Sequence, residues 1–170
     1  MSNTLIWQDK LPEHNLPAGA DGIIQAQSLT VALRSLGHAF SVRLLHLGSS
    51  GFDDLFSDGL DKNEASEWFA RDVLLCLDDT PVVWARSLCA ASASEWRNLL
   101  DCGTRPLGER LFDGSLPLIR SPFEYAFLKD ACVLSGFDGE AVLARRSLFD
   151  WHGKKLGLAE CFLPNLKNFV

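Results

Sequence analysis

Two charged side chains stand in otherwise apolar strand rows. The stretch Lys154-Lys155-Leu156-Gly157-Leu158-Ala159-Glu160-Cys161-Phe162-Leu163-Pro164 reads as a strand that Pro164 ends. Alternation along it puts Leu156, Leu158, Glu160 and Phe162 on one face. A charge in such a row is costly unless it is paired, hydrogen-bonded or neutralised. Upstream, Trp68 to Leu77 reads as a strand apolar on both faces, and Arg71 shares a face with Phe69, Val73, Leu75 and Leu77. At neutral pH a guanidinium cannot shed its charge, so Arg71 requires an anion. Two partners are open to it. One is Glu160, as a structural ion pair. The other is the carboxylate of a bound ligand, which the guanidinium fork engages bidentately. Glu160 is open to the same alternatives, or to plain partial exposure near a sheet end. Two opposite charges in one sheet core, with no metal motif beside them, point to a small anionic ligand.

Other chemistries find little support. His14, His38, His46 and His152 are scattered, without HxH or HExxH spacing, so no metal is expected. There is no GxSxG elbow for a serine nucleophile. Gly48-Ser49-Ser50-Gly51 is turn-rich but lacks the Lys-Ser/Thr ending of a phosphate-binding loop. Arg86 lies on the Val82, Trp84 and Leu88 face of the next strand. It is either a second anion contact or a guanidinium that snorkels at a sheet edge. At Glu160, burial opposes the charge and a guanidinium supports it, a balance suited to proton transfer or to orienting a hydroxyl.

The 170 residues suit one domain, 1–170, with 1–20 as an irregular lead-in. Hydrophobic residues are 47% and charged residues 22%, enough apolar material for a sizeable core. The formal net charge of -6 disfavours nucleic acid and anionic membranes as partners. An anionic substrate must then be drawn by a local positive pocket. The five cysteines, Cys76, Cys89, Cys102, Cys132 and Cys161, show no CxxC spacing and read as buried thiols of a reducing compartment. The N-terminus lacks a basic start followed by an apolar run, and no apolar run reaches the ~18–20 residues that cross a bilayer. The expectation is a cytoplasmic protein without membrane insertion.

The elements expected to position the charges follow from pattern and punctuation. Asp21 reads as the cap of a helix that runs to Gly37, with Ile24, Leu29, Val31, Leu33 and Leu36 as its apolar stripe. Strands are expected at 39–45, 68–77, 82–90, 123–132, 141–150 and 154–163. Ser92-Ala93-Ser94-Glu95 reads as a capping box that opens a short helix. Thr104 reads as the cap of another, with Pro106 in its first turn. Residues 52–66 and 113–123 read as loops, and Gly136-Phe137-Asp138-Gly139 as a turn. Strands joined by short turns imply one antiparallel sheet with helices covering it, an α+β fold.

The same segments carry a resemblance. Trp68-Phe69-Ala70-Arg71-Asp72-Val73-Leu74-Leu75-Cys76 resembles the arginine-bearing strand of chorismate lyases. Arg105-Pro106-Leu107-Gly108-Glu109-Arg110-Leu111-Phe112 resembles that family's PLGxxLF segment. Ala144-Arg145-Arg146-Ser147, Gly153-Lys154-Lys155-Leu156 and Ala159-Glu160-Cys161-Phe162-Leu163-Pro164 resemble its closing hairpin, with RRS, GKxL and ExFLP in order. The likeness spans residues 22–164. It implies conversion of chorismate into 4-hydroxybenzoate and pyruvate, a first step of bacterial ubiquinone synthesis. It also implies a monomer without metal or cofactor, its ligand buried between the sheet and covering flaps. The family's ligand-binding arginine and glutamate fall on Arg71 and Glu160, and the leucine of its PLG on Leu107. A ligand-contacting methionine of its N-terminal helix corresponds to Leu29. Arg86 is a candidate to help Arg71 with a carboxylate. The flap candidates are the 113–123 loop and the Gly48–Gly51 turn. The alternative is a non-catalytic small-anion sensor, the effector-binding module of a related fold. Such modules follow a DNA-binding helix-turn-helix domain, and the expectation is that the residues before the first helix are too few to form one.

Overall fold

The structure, a computed structural model, describes residues 5–12, 18–128, 134–137, 141 and 143–170. Among the described residues seven strands form one antiparallel sheet: β1 (Phe40–Ser50), β2 (Trp68–Leu77), β3 (Thr80–Ala90), β4 (Ile119–Arg120), β5 (Glu124–Phe127), β6 (Leu143–Trp151) and β7 (Lys154–Phe162). Their order is β1-β2-β3-β7-β6-β4, and β5 also pairs with β6. This is the α+β architecture expected from the sequence. Among the described residues four short α-helices accompany it: α1 (Asp21–Ile24), α2 (Leu29–Arg34), α3 (Ser94–Leu100) and α4 (Leu107–Leu111).

Two tight turns set the register. Asp78 and Asp79 carry φ of 48° and 63°, and His152 and Gly153 carry 53° and 84°. Positive φ at both central residues is the two-residue turn whose twist matches that of the flanking strands. Leu77 therefore pairs with Thr80, and Trp151 with Lys154.

Both faces of the sheet are covered, which explains why β2 reads as apolar on both sides. On one face Trp68, Ala70, Leu74, Trp84, Leu88 and Ala159 pack against Leu55, Phe56 and Leu60. Gly157 permits that approach, because a Cβ there would lie 2.5 Å from Phe56. The other face carries two separate cores. Val73, Leu75, Val83 and Phe162 pack under α1 and α2 through Ile24, Leu29 and Leu33. Cys89, Phe149 and Leu156 pack under α3 and α4 through Trp96, Leu100, Leu107 and Leu111.

Several local expectations change. The helix expected from Asp21 to Gly37 breaks at residues 25–28, where strand side chains take its carbonyl groups (below). Gly48 to Ser50 continue β1 rather than forming a turn. The capping box at Ser92 is not formed: α3 starts after Ala93 without a side-chain cap. Pro106, not Thr104, precedes α4. The 113–123 loop contains β4. Residues 129–132 of the strand expected at 123–132, including Cys132, residue 142 of that expected at 141–150, and residues 138–139 of the expected turn lie outside the described residues.

Candidate active site

The site is built by strand register. Arg71 on β2 pairs with Ser87 on β3, Ser87 with Leu158 on β7, and Leu158 with Ser147 on β6. Two residues along, Val73 pairs with Ala85, Ala85 with Glu160, and Glu160 with Arg145. Both rows face the two helix-covered cores, since residues two apart share a face. A small cavity, with about 50 Å³ open to a water-sized sphere, lies above them, lined by residues that include Leu29, Arg71, Ser87, Leu107, Arg120, Arg145 and Glu160.

Arg71 and Glu160 are not each other's partner. Arg145 Nε donates to Glu160 Oε1 at 2.7 Å, and both side chains are buried. Arg71 Nη2 instead donates to the carbonyls of Gly103 and Arg105, 3.0 Å from each. It thereby ties down the loop that leads into α4 and Leu107. Burial pushes the Arg71 pKa down, with a smaller opposing effect from Cys102.

Two further arginines, Arg120 and Arg145, line the cavity, and no pattern in the sequence marks them as site residues. Arg145 Nη1 donates to the carbonyls of Ile24 and Ala26 at 2.7 and 2.6 Å. Arg120 Nη1 donates to the Gln27 carbonyl, and its Nε to Ser147 Oγ at 3.0 Å. These bonds occupy the backbone between α1 and α2, and they are why that segment is not helical. Burial pushes the Arg120 pKa down to about 10, although Glu160 acts to raise it. At neutral pH it remains a cation. Both groups contact Phe123, with the Arg120 and Arg145 guanidinium carbons 4.3 and 4.2 Å from its ring centroid.

Two donors of this constellation are orphaned. Among the described residues, Arg71 Nε and Arg145 Nη2 are buried with no hydrogen-bond partner. Leaving such a group unmet costs about 1–3 kcal/mol, more when it is charged, so the arrangement favours an arriving acceptor.

The covers meet above the cavity. Arg34 on α2 and Glu109 on α4 form an exposed ion pair at 2.7 Å. Gly108 lets the two helices approach, since a Cβ there would lie 3.2 Å from Thr30 Oγ1. The covering elements are therefore α2, α4 and the Arg120 end of the 113–123 segment. Gly48–Gly51 does not line the cavity.

Of the residues expected at a ligand site, Arg71, Glu160, Leu29 and Leu107 come together around this cavity. The expectation for Arg86 is corrected. Ala85 and Ser87 face the cavity, so alternation turns Arg86 to the opposite face. There its Nε and Nη2 donate to the two oxygens of buried Asp72, each at 2.7 Å, and Nη1 meets Asp53. Burial acts to lower the Arg86 pKa, but the two carboxylates more than offset it and raise it. Asp53 also accepts from Leu55 N–H, so Arg86 anchors the segment packed on that far face. Among the described residues no three His, Cys, Asp or Glu side chains cluster as a metal site, and no helix is long and apolar enough to cross a membrane.

Comparison with known proteins agrees with the motifs. The family model described as Chorismate lyase matches residues 1–168. A protein named "Probable chorismate pyruvate-lyase" from Bordetella avium is 32% identical over 173 residues, covering 94% of this chain and 83% of that one. One of the same name from Pseudomonas aeruginosa is 36% identical over 153 residues, covering 88% and 85%. Among solved structures, the effector domain of PhnF from Mycobacterium smegmatis aligns at 11% identity and a TM-score of 0.49, covering 81% of this chain and 89% of that one. A family model that spans nearly every residue, joined to relatives above 30% identity over most of both chains, places this chain in the chorismate lyase family.

Proposed function

We propose that the protein is a chorismate pyruvate-lyase, which eliminates pyruvate from chorismate and leaves 4-hydroxybenzoate. The observation that carries this reading is charge. The cavity is lined by three arginines and one glutamate, a surplus of two positive charges, in a chain whose net charge is -6. Chorismate is a dianion, with one carboxylate on the ring and one on the enolpyruvyl group. Its ring suits the apolar lining of Leu29, Val73, Leu107 and Leu158.

In this reading Arg71 holds a substrate carboxylate, with its orphaned Nε–H available to it. Glu160 orients the C4 hydroxyl. Arg145 occupies Glu160 Oε1, and among the described residues Oε2 has no hydrogen-bond partner. Leu29 and Leu107 press the ring from the two covering helices. The reaction breaks the C3–O bond and removes the hydrogen at C4. The enolpyruvyl group leaves as pyruvate, whose methyl group gains a hydrogen, and the ring becomes aromatic. Aromatisation supplies the driving force, so the chain need only hold the dianion in a reactive shape, manage a proton and exclude water. The product is a ring precursor for ubiquinone. The reading carries with it a cytoplasmic monomer that uses no metal or cofactor.

Incubating the folded protein with chorismate and following pyruvate with a coupled dehydrogenase tests the proposal. Pyruvate should form well above the uncatalysed background. Binding of chorismate without pyruvate formation would instead make the chain an anion sensor.

A further inference from the structure

Arg120 has no assigned contact in the reading above, yet, like Arg71, it is a buried cation of the cavity that no carboxylate among the described residues pairs. Its guanidinium lies 4.9, 4.3 and 4.9 Å from the ring centroids of Phe112, Phe123 and Phe149. Its hydrogen bonds go to a hydroxyl and a carbonyl, both neutral. Among the described residues no carboxylate lies within ion-pair distance of it. A desolvated cation without a counter-ion is costly unless a ligand supplies the anion.

The cavity has two ends. Arg71 reaches the 103–105 loop before α4. Arg145, with Glu160, reaches residues 24 and 26, and Arg120 reaches residue 27 of that same segment. Arg120 and Arg145 also share the Phe123 ring between them. Arg120 bonds Ser147 in the same cross-strand row as Arg71, but Ser147 is on β6, three strands from Arg71 on β2 and next to the β7 strand of Glu160, so Arg120 lies on the Glu160 side of the cavity and Arg71 on the other. Chorismate has two ends of the same kind. Its ring carboxylate is para to the C4 hydroxyl, while the enolpyruvyl ether is on C3, next to that hydroxyl.

We infer that Arg120 binds the enolpyruvyl carboxylate of chorismate, and Arg71 the ring carboxylate. The inference rests on the lyase reading and on Glu160 taking the C4 hydroxyl. It makes Arg120 a contact of the leaving group alone. The two cations then separate after reaction, because 4-hydroxybenzoate keeps the anion at Arg71 and pyruvate carries away the one at Arg120. Holding the carboxylate of the departing group lets Arg120 stabilise charge that builds on pyruvate as the C3–O bond breaks.

The test compares substrate and product in Arg120→Gln and Arg120→Lys. For Arg120→Gln, kcat/KM with chorismate should fall roughly 10²-fold, the scale of losing one buried charge-assisted contact. The Kd for 4-hydroxybenzoate, by titration calorimetry, should stay within about threefold of wild type. Arg120→Lys keeps the charge and should recover part of the loss in kcat/KM. If Arg120→Gln melts too early to assay, Arg120→Lys decides alone: a larger loss for chorismate than for 4-hydroxybenzoate supports the assignment. Equal losses for both ligands in a folded variant overturn it. Wild-type protein that releases no pyruvate overturns the lyase reading itself, before either variant is measured.

Discussion

Arg145 and Glu160 stand directly opposite each other on β6 and β7, joined by a 2.7 Å bond from Arg145 Nε to Glu160 Oε1. The pair does two things. It neutralises a carboxylate inside the sheet core, and it turns that carboxylate so that Oε1 is occupied. Removing one partner of a buried pair costs about 3–5 kcal/mol, whereas replacing both with apolar side chains is often neutral. Arg145→Leu should therefore melt early. Arg145→Leu with Glu160→Leu should regain most of the lost stability and no activity. A double variant as unstable as the single one would show that the pair is not the source of the cost.

Arg71 and Arg86 should separate binding from stability. Arg86→Ala strands Asp72, which is 1% exposed, and should cost about 3–5 kcal/mol. Whatever remains folded should bind 4-hydroxybenzoate at near wild-type affinity. Arg71→Ala strands two carbonyls and should cost less, about 1–3 kcal/mol, while abolishing the stabilisation that the ligand confers. In wild type that stabilisation is about 2.7 kcal/mol at a hundredfold excess over Kd. Thermal melts with and without 4-hydroxybenzoate read all of these. An early-melting Arg71→Ala that still gains the full ligand shift would remove Arg71 from the site.

Product release should limit turnover. 4-Hydroxybenzoate retains the ring carboxylate and the C4 oxygen, and binding shared by substrate and product slows release without speeding chemistry. A burst of product followed by a slower steady rate is expected. The Arg34–Glu109 pair joins the covering helices and is about half exposed at both ends, so breaking it should change stability by less than ~1 kcal/mol. Glu109→Gln should leave the burst intact and raise the steady rate. A progress curve that is linear from the first turnover would contradict release as the slow step.

The alkaline limb of kcat/KM should report Arg120. Burial favours the neutral guanidine, so charge is lost as pH rises through about 10 and is fully present below it. With chorismate, which has no group titrating there, kcat/KM should be flat from about pH 7 to 9 and then fall. Arg120→Gln should lack that limb. An identical fall in the variant would assign the limb to another group.

Much of this site was legible in the strand patterns. Alternation alone put Arg71 and Glu160 on inward faces, and the same rule, with the facing residues known, turns Arg86 away. The Arg145–Glu160 pair could also have been read. Arg145 stands six positions before Trp151 and Glu160 six after Lys154, the pair that flanks the His152-Gly153 turn, which makes them cross-strand partners. Arg120 was hidden because its strand is two residues long and sits in a Pro- and Gly-bearing stretch without periodicity. The break between α1 and α2 was hidden for a different reason. Its cause is tertiary: the carbonyls of Ile24, Ala26 and Gln27 serve arginines about a hundred positions away, and helical spacing in the sequence does not register that.

The most direct measurement quantifies both products of one reaction. Purified protein is incubated with chorismate, and pyruvate and 4-hydroxybenzoate are determined in the same samples over time. The account predicts equal molar amounts of the two, formed far faster than in buffer and abolished in folded Arg71→Ala. Chorismate that remains intact beside folded wild-type protein, or that yields one product without the other, would contradict it.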